Sequence, residues 1–373
     1  MTDSAAARAA GMFVTKPFVT GRRIRFALVG CGRISKNHFD ALERHRDHAE
    51  VVGVCDVDPA ALAAATARTG APGFASLDEL LAGADADVVV LATPSGLHAE
   101  QAIRVAQSGR HVVTEKPMAT RWQDGKAMVH ACDQAGVHLF VVKQNRRNAT
   151  LQLLKRAVER DRFGRIHMVG INVFWSRPQS YYDSAAWRGT WEFDGGAFMN
   201  QASHYVDLLD WLIGPVESVQ AYTATLGRHI QVEDTGVAAL RWRGGALGTM
   251  AVTMLTYPQN LEGSITILGE TGTVRVGGVA VNKIEQWQFA ARGESAEAAA
   301  DAADDAAVAT ASYETTSVYG FGHAAYYENV IAALRGAAAP ETDGREGLRS
   351  LELLVAIYLS ARDGRRVALP LEY

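Results

Sequence analysis

The sequence predicts an α/β domain built on a doubly wound parallel sheet, followed by an α+β domain with a large, mostly antiparallel sheet. Three observations carry this. From residue 24 to residue 143, apolar runs of four to six residues alternate with helical segments, the grammar of βαβ units buried on both faces of a sheet. After Asn145, strand-like segments follow one another with little helix between them. The chain has 373 residues, enough for two domains at roughly 150 residues each.

In the first part, strands are expected at 24–29, 51–55, 87–92, 111–114 and 137–142, with helices at 35–45, 59–69, 97–107 and 123–135 between and after them. In the second part, a helix at 151–159 leads into a strand at 165–175 and a Tyr-, Trp- and Gly-rich loop running to Gly196. One continuous helix is expected over 197–213, then strands at 218–225, 236–242, 247–255, 264–268 and 273–276. Arg243-Gly244-Gly245 and Glu270-Thr271-Gly272 supply hairpin turns. Residues 292–311 are almost wholly Ala, Asp and Glu and read as a solvated excursion, with helices at 323–335 and 346–360 closing the chain. The domains are therefore expected as a flexible arm at 1–23, a nucleotide-binding domain at 24–146 and a substrate-binding and oligomerisation domain at 147–373. The C-terminal helix is a candidate to pack back on the first domain.

Composition narrows the function. With 37 basic and 41 acidic residues the formal net charge is −4, so nothing draws the chain as a whole to nucleic acid, and an anionic ligand needs a local cluster of cations. Cys31, Cys55 and Cys132 form no CxxC pair, and three is an odd number for a disulfide framework; a reducing, cytoplasmic setting is expected. No metal site is expected. No apolar run approaches the ~18 residues of a membrane span, and the first 23 residues lack a secretory apolar core.

The chemistry begins at Gly30-Cys31-Gly32-Arg33-Ile34-Ser35, a G-x-G-x-x-G pattern with Ser in the third glycine place. A strand precedes it, a helix follows, and the next strand ends at Asp56, the arrangement of a Rossmann dinucleotide site. Gly30 makes the turn, and Gly32 lets backbone approach a pyrophosphate at the helix N-terminus beside Arg33 and Ile34. Asp56 would hydrogen-bond ribose hydroxyls and repel a 2′-phosphate, which favours NAD over NADP. Thr93 and Pro94 end the third long strand on the ligand edge of the sheet, with His98 just beyond. Glu115 and Lys116 end the fourth, where a nicotinamide would lie.

Glu115-Lys116-Pro117 and Gly195-Gly196-Ala197-Phe198-Met199-Asn200-Gln201-Ala202-Ser203-His204, taken with the Rossmann start, resemble the glucose–fructose oxidoreductase/inositol dehydrogenase (Gfo/Idh/MocA) family from about residue 24 to the end. The resemblance implies an NAD-dependent oxidoreductase acting on a CH–OH group, with Lys116 and His204 catalytic. Such a reaction needs a base for the hydroxyl proton and a fixed cation for the developing alkoxide. His204 is assigned as base and Lys116 as electrostatic partner, with the reverse assignment left open. Asn200 lies four residues before His204, on the same helix face, and stands where the family often has Asp. An amide cannot be a base, so Asn200 is assigned to a substrate hydroxyl. Asp207, three residues beyond His204, is a candidate to orient its ring.

Lys143-Gln144-Asn145-Arg146, the loop from Tyr181-Tyr182 through Trp187-Arg188-Gly189-Thr190-Trp191, and the run from Asp194 to Gln201 are similar to one subgroup, the UDP-N-acetylglucosaminuronate 3-dehydrogenases. That similarity implies oxidation of the C3′ hydroxyl of a UDP-linked 2-acetamido-glucuronic acid, towards diacetamido uronic acids of lipopolysaccharide O-antigen. Such a substrate carries about three negative charges; Lys143, Arg146, Arg147, Arg177 and Arg188 are the local cations, with Tyr181, Asn200 and Gln201 as further substrate contacts. Competing readings are a dehydrogenase of a free sugar or polyol and a non-catalytic NAD-binding sensor. The family implies homo-oligomers, dimers or tetramers.

Overall fold

The computed structural model describes residues 14–293, 295–315 and 322–371. Its chain divides into two compact units, residues 14–143 with 323–351 and residues 144–322 with 352–371.

The first unit holds six parallel strands: β1 (Ile24–Val29), β2 (Ala49–Cys55), β3 (Gly73–Phe74), β4 (Val88–Leu91), β5 (His111–Thr114) and β6 (Leu139–Val141). Their order is β3-β2-β1-β4-β5-β6, so the chain reverses direction across the sheet between β1 and β4. The crevice at such a reversal is where doubly wound sheets bind ligands. Helices α1 (Ser35–Arg44), α2 (Pro59–Thr69), α3 (Leu77–Gly83), α4 (His98–Gln107) and α5 (Trp122–Ala135) make the crossovers and the last helix of the series. Two of them start on a side-chain cap: Asp58 caps α2 ahead of Pro59, and Ser76 caps α3. The strands are apolar on both faces, and Phe26, Leu28, Val88, Val90 and Val113 form one core with Phe140.

Two findings differ from the sequence expectation. Residues 14–23 do not run free: Thr15 and Lys16 donate backbone N–H groups to Gly136, and Val19 to Leu334 (2.9 Å). Arg22 grips Asp87 through two nitrogens. Residues 1–13 lie outside the described residues. Helix α10 (His323–Leu334) belongs with this first unit, where Tyr326, Tyr327, Val330 and Leu334 join the core. So does the start of α11 (Gly344–Asp363). The apolar faces of these segments find their burial by packing, which composition does not reveal.

The second unit begins with α6 (Ala149–Glu159) and carries an eight-stranded sheet. Its strands are β7 (Ile166–Phe174), β8 (Val216–Ala224), β9 (Thr235–Trp242), β10 (Leu247–Thr253), β11 (Glu262–Gly269), β12 (Gly272–Gly277), β13 (Lys283–Phe289) and β14 (Val367–Ala368). The order is β13-β12-β11-β7-β10-β9-β8-β14; only the β7–β10 pair is parallel. In β9 buried and exposed residues alternate strictly, so one face of the sheet is packed and the other open. A short helix, α7 (Gln179–Asp183), interrupts the aromatic loop.

The acidic stretch is also not as expected. Residues Ala296–Ala311 form helix α9. Asp304 accepts from Arg156 (2.9 Å) and Arg160 (2.7 Å), and Asp305 accepts from Arg162 (2.8 Å) and from the Trp287 indole (2.7 Å). The acids that suggest solvation are the counter-charges of an Arg cluster at the end of α6.

Candidate active site

In the first unit, Gly30 has φ +92°, and a Cβ there would lie 2.6 Å from the carbonyl of Ala92. Only glycine fits this turn. Gly32 is exposed, and an added Cβ would meet nothing within 4 Å. Ile34 leads into α1 with no side-chain cap; the Ser35 N–H donates to the Gly32 carbonyl (3.1 Å) and the Asn37 N–H to that of Ile34 (3.0 Å). Arg33 beside it is exposed and Ile34 half-buried. Asp56 ends β2 half-buried, its carboxylate accepting from the Cys31 N–H (2.6 Å) and the Asp58 N–H (2.8 Å). An exposed glycine, an uncapped helix start and a carboxylate at the next strand end fit a dinucleotide whose adenine ribose carries free hydroxyls.

Thr93 and Pro94 are half-buried at the end of β4, and Thr93 donates its hydroxyl to Gln101 (2.6 Å). Lys116 is half-buried at the end of β5. Two residues expected to contact cofactor also have buried protein partners. His98 is fully buried, its ring nitrogens facing the carbonyl oxygens of Pro117 (3.0 Å) and Thr93 (2.9 Å). It ties the two strand-end turns together. Glu115 is buried too, accepting from the Lys116 N–H (3.0 Å) and facing His38 Nε2 (3.1 Å). His38 Nδ1 in turn meets the Tyr327 hydroxyl (2.8 Å), and His323 Nε2 stands 3.6 Å from Glu115. These histidines hold the Glu115 carboxyl well below the usual carboxylate range despite its burial. The ligand atoms of His38, Glu115 and His323 lie within 4.8 Å of one another, close enough to share a metal ion.

Lys143, expected to meet substrate, is buried and donates to the Ser350 hydroxyl.

In the second unit, the segment expected as one helix is two. A π-helical turn, Ala197–Gln201, ends at Ala202, and α8 (Ser203–Ile213) begins there. His204 lies buried in the first turn of α8, with Nε2 3.1 Å from the Gln144 amide nitrogen. With Gln144 as donor, Nε2 is the lone-pair nitrogen, the state a base requires. Asp207 pairs with Arg146 through two bonds of 2.7 Å, both side chains buried. Arg146 is thereby a structural cation, and Arg147 is half-buried beside it.

The aromatic loop forms a connected polar surface. Arg177 Nε donates to Gln201 (3.0 Å), Gln201 donates to the Tyr181 hydroxyl (3.1 Å), and Arg188 donates to the same hydroxyl (2.7 Å). The Arg188 guanidinium also lies 4.4 Å from the ring centres of Tyr181 and Trp187. The structure thus brings Arg177, Tyr181, Arg188 and Gln201 together. Asn200 donates its side-chain amide to Asp194. Asp194 and Glu233 went unread as site residues; their signal is burial and hydrogen bonding, which a single sequence does not display.

A dinucleotide-binding α/β unit and a sheet unit bearing G-G-x3-N-x3-H define a two-domain dehydrogenase. The chain belongs to the GFO_IDH_MocA oxidoreductase family: residues 24–143 match its NAD-binding Rossmann fold and residues 155–369 its C-terminal alpha/beta domain. Among solved structures, it is similar to the WlbA dehydrogenase of Chromobacterium violaceum in complex with NADH and UDP-GlcNAcA. The two are 68% identical with a TM-score of 0.90, covering 96% of this chain and 100% of that one. WlbA dehydrogenase from Bordetella pertussis, in complex with the same two molecules, is 70% identical with a TM-score of 0.90, covering 95% and 100%. The D-apiose dehydrogenase of Paraburkholderia graminis is 28% identical over 94% of this chain and 91% of its own.

Proposed function

We propose that this protein oxidises the C3′ hydroxyl of a UDP-linked 2-acetamido-2-deoxy-glucuronic acid to the 3-keto sugar, using NAD. The observation that carries this is the 68–70% identity, over 95–96% of the chain, to two dehydrogenases held with NADH and UDP-GlcNAcA. Bound NAD supplies the hydride acceptor. The chain's own residues do the rest. Gly32 and the uncapped start of α1 bind the pyrophosphate, and Asp56 takes the ribose hydroxyls. His204 accepts the hydroxyl proton, and the Lys116 ammonium stabilises the alkoxide. Asn200 orients a sugar hydroxyl. Arg177 and Arg188, with Tyr181 and Gln201, answer the substrate's carboxylate and pyrophosphate, which an acidic protein must meet locally. The 3-keto product suits later amination on the way to a diacetamido sugar of the cell surface.

A cytoplasmic setting is consistent with three free cysteines, and no helix among the described residues is long and apolar enough to cross a membrane. The open sheet face carries Tyr222 opposite Val237 and Leu247 opposite Met168, each 47–68% exposed. We assign this face to pairing with a second copy; a monomeric mass in solution would remove the assignment.

The function is tested by incubating the protein with NAD and UDP-GlcNAcA, UDP-GlcNAc, myo-inositol and glucose, and analysing products by mass. A product two mass units lighter is expected only from UDP-GlcNAcA. Turnover of inositol or glucose instead would establish the free-sugar reading. Lys116→Ala should abolish turnover while NAD still binds. Wild-type protein that binds NAD and oxidises none of the panel would favour the sensor.

A further inference from the structure

The turn that carries Asn200 and Gln201 and leads into His204 starts without a cap of its own. Gly196, ahead of it, offers no side-chain acceptor. Its first amides are instead met by two residues distant in sequence. Ala197 N–H donates to the Glu233 backbone carbonyl (2.9 Å), and Phe198 N–H to Glu233 Oε1 (2.9 Å). Met199 N–H donates to the Tyr358 hydroxyl (3.1 Å), and that hydroxyl donates to the same Oε1 (2.8 Å). Glu233 is 3% exposed at the entry to β9, and Tyr358 lies in α11.

The arrangement also explains the second glycine. Gly195 needs its φ of +79°, but Gly196 has φ −94°, open to any residue. A Cβ on Gly196 would sit 1.9 Å from Glu233 Oε2. That oxygen is buried with no hydrogen-bond partner. Such a group is expensive to keep, which argues that the carboxyl does a job a hydrocarbon could not. Its burial, with Asp234 adjacent, pushes the carboxyl up to about 7.

We propose that Glu233, acting with Tyr358, is a positioning residue: it caps the Ala197–Gln201 turn in place of a local cap and so sets where Asn200, Gln201 and His204 stand. This rests on the dehydrogenase reading above for its kinetic readout and on the geometry alone for its structural one. Glu233→Gln keeps the acceptor oxygen for both donors; Glu233→Leu keeps the bulk and removes it. In the Leu variant, the Phe198 and Met199 amides should lose hydrogen-exchange protection in the absence of substrate. With UDP-GlcNAcA and NAD, kcat should fall about tenfold or more, with NAD affinity unchanged. The Gln variant should keep exchange protection and stay within about threefold of wild type in kcat. Equal loss in both variants, or wild-type exchange and kcat in the Leu variant, would overturn the proposal. Should Glu233→Leu not fold, Tyr358→Phe decides: faster exchange at Met199 supports the cap, and unchanged exchange refutes it. Wild-type protein inert towards UDP-GlcNAcA, with the exchange pattern intact, would sink the substrate reading and leave the cap standing.

Discussion

The side-chain amide of Asn200 donates to the carboxylate of Asp194, which also accepts the Gly189 N–H at 2.7 Å and is 1% exposed. The contact gives a physical reason for an amide where the family often has Asp. A second carboxylate there would face the first in a buried site, and two such groups cannot both ionise cheaply. Asn200→Asp should lower kcat/KM at neutral pH by roughly tenfold or more, with partial recovery on acidification as the pair takes up a shared proton. A pH–rate profile of the variant, flat and equal to wild type, would contradict this.

The Arg146–Asp207 pair makes a different prediction. Both partners are buried and joined by two bonds of 2.7 Å. Asp207→Asn removes the counter-charge and should cost on the order of 3 kcal/mol in chemical denaturation. A loss within error of zero would show the pair to be energetically idle.

Gly30→Ala tests the cofactor turn. The added methyl would meet the Ala92 carbonyl at 2.6 Å on a backbone with φ +92°. NAD affinity should fall by about tenfold or more, measured by calorimetry, with a lowered melting temperature. Unaltered affinity would mean the turn yields without cost.

Glu233 sets a pH dependence of stability whose sign can be worked out. Burial raises its folded pKa from the ordinary 4.5 to about 7. The folded state therefore binds the extra proton, and this stabilising contribution is full below about 4.5 and lost as pH rises through about 7. Groups facing it are the Tyr358 hydroxyl and, by charge, Asp234. Glu233→Gln, uncharged throughout, should become more stable relative to wild type as pH rises from 5 to about 8. A constant difference across that range would rule the shift out.

His111 and His138 work in the opposite sense. Burial lowers them from 6.5 to about 3 and about 4, so both fold neutral. The unfolded chain binds protons that the folded chain refuses, and stability falls as pH drops from about 6.5 towards about 4. Replacing His138 with Leu should flatten that acid limb in a denaturation series.

Much of this was legible in the residues. Five of the six first-unit strands were found because parallel strands buried on both faces read as apolar runs, as in Val88–Leu91 and His111–Thr114; the two-residue β3 is too short to show a pattern. Gly30, Gly32 and Asp56 were legible because their spacing fixes a local turn and two strand ends. Other features were not legible. His98, Glu115 and Lys143 carry the residue types of a site, and each is also buried against a partner at least five residues away or inside a network. The acid-rich segment looked solvated because its counter-charges, Arg156, Arg160 and Arg162, lie far back in the chain. The helix over 197–213 breaks at Ala202, where the Ala202 N–H reaches back to Ala197 (2.8 Å).

By itself the sequence determined the dinucleotide-binding class, the order of the longer Rossmann strands, and which side chains have the chemistry to act: an ammonium at 116, an imidazole at 204 and the arginines at 177 and 188. These follow from short-range rules of period, turn and spacing. Only the tertiary structure decided which charged groups pair with distant partners, and what caps the turn before His204. Those outcomes depend on burial and on partners brought together from distant points of the chain, and neither is encoded in any local window.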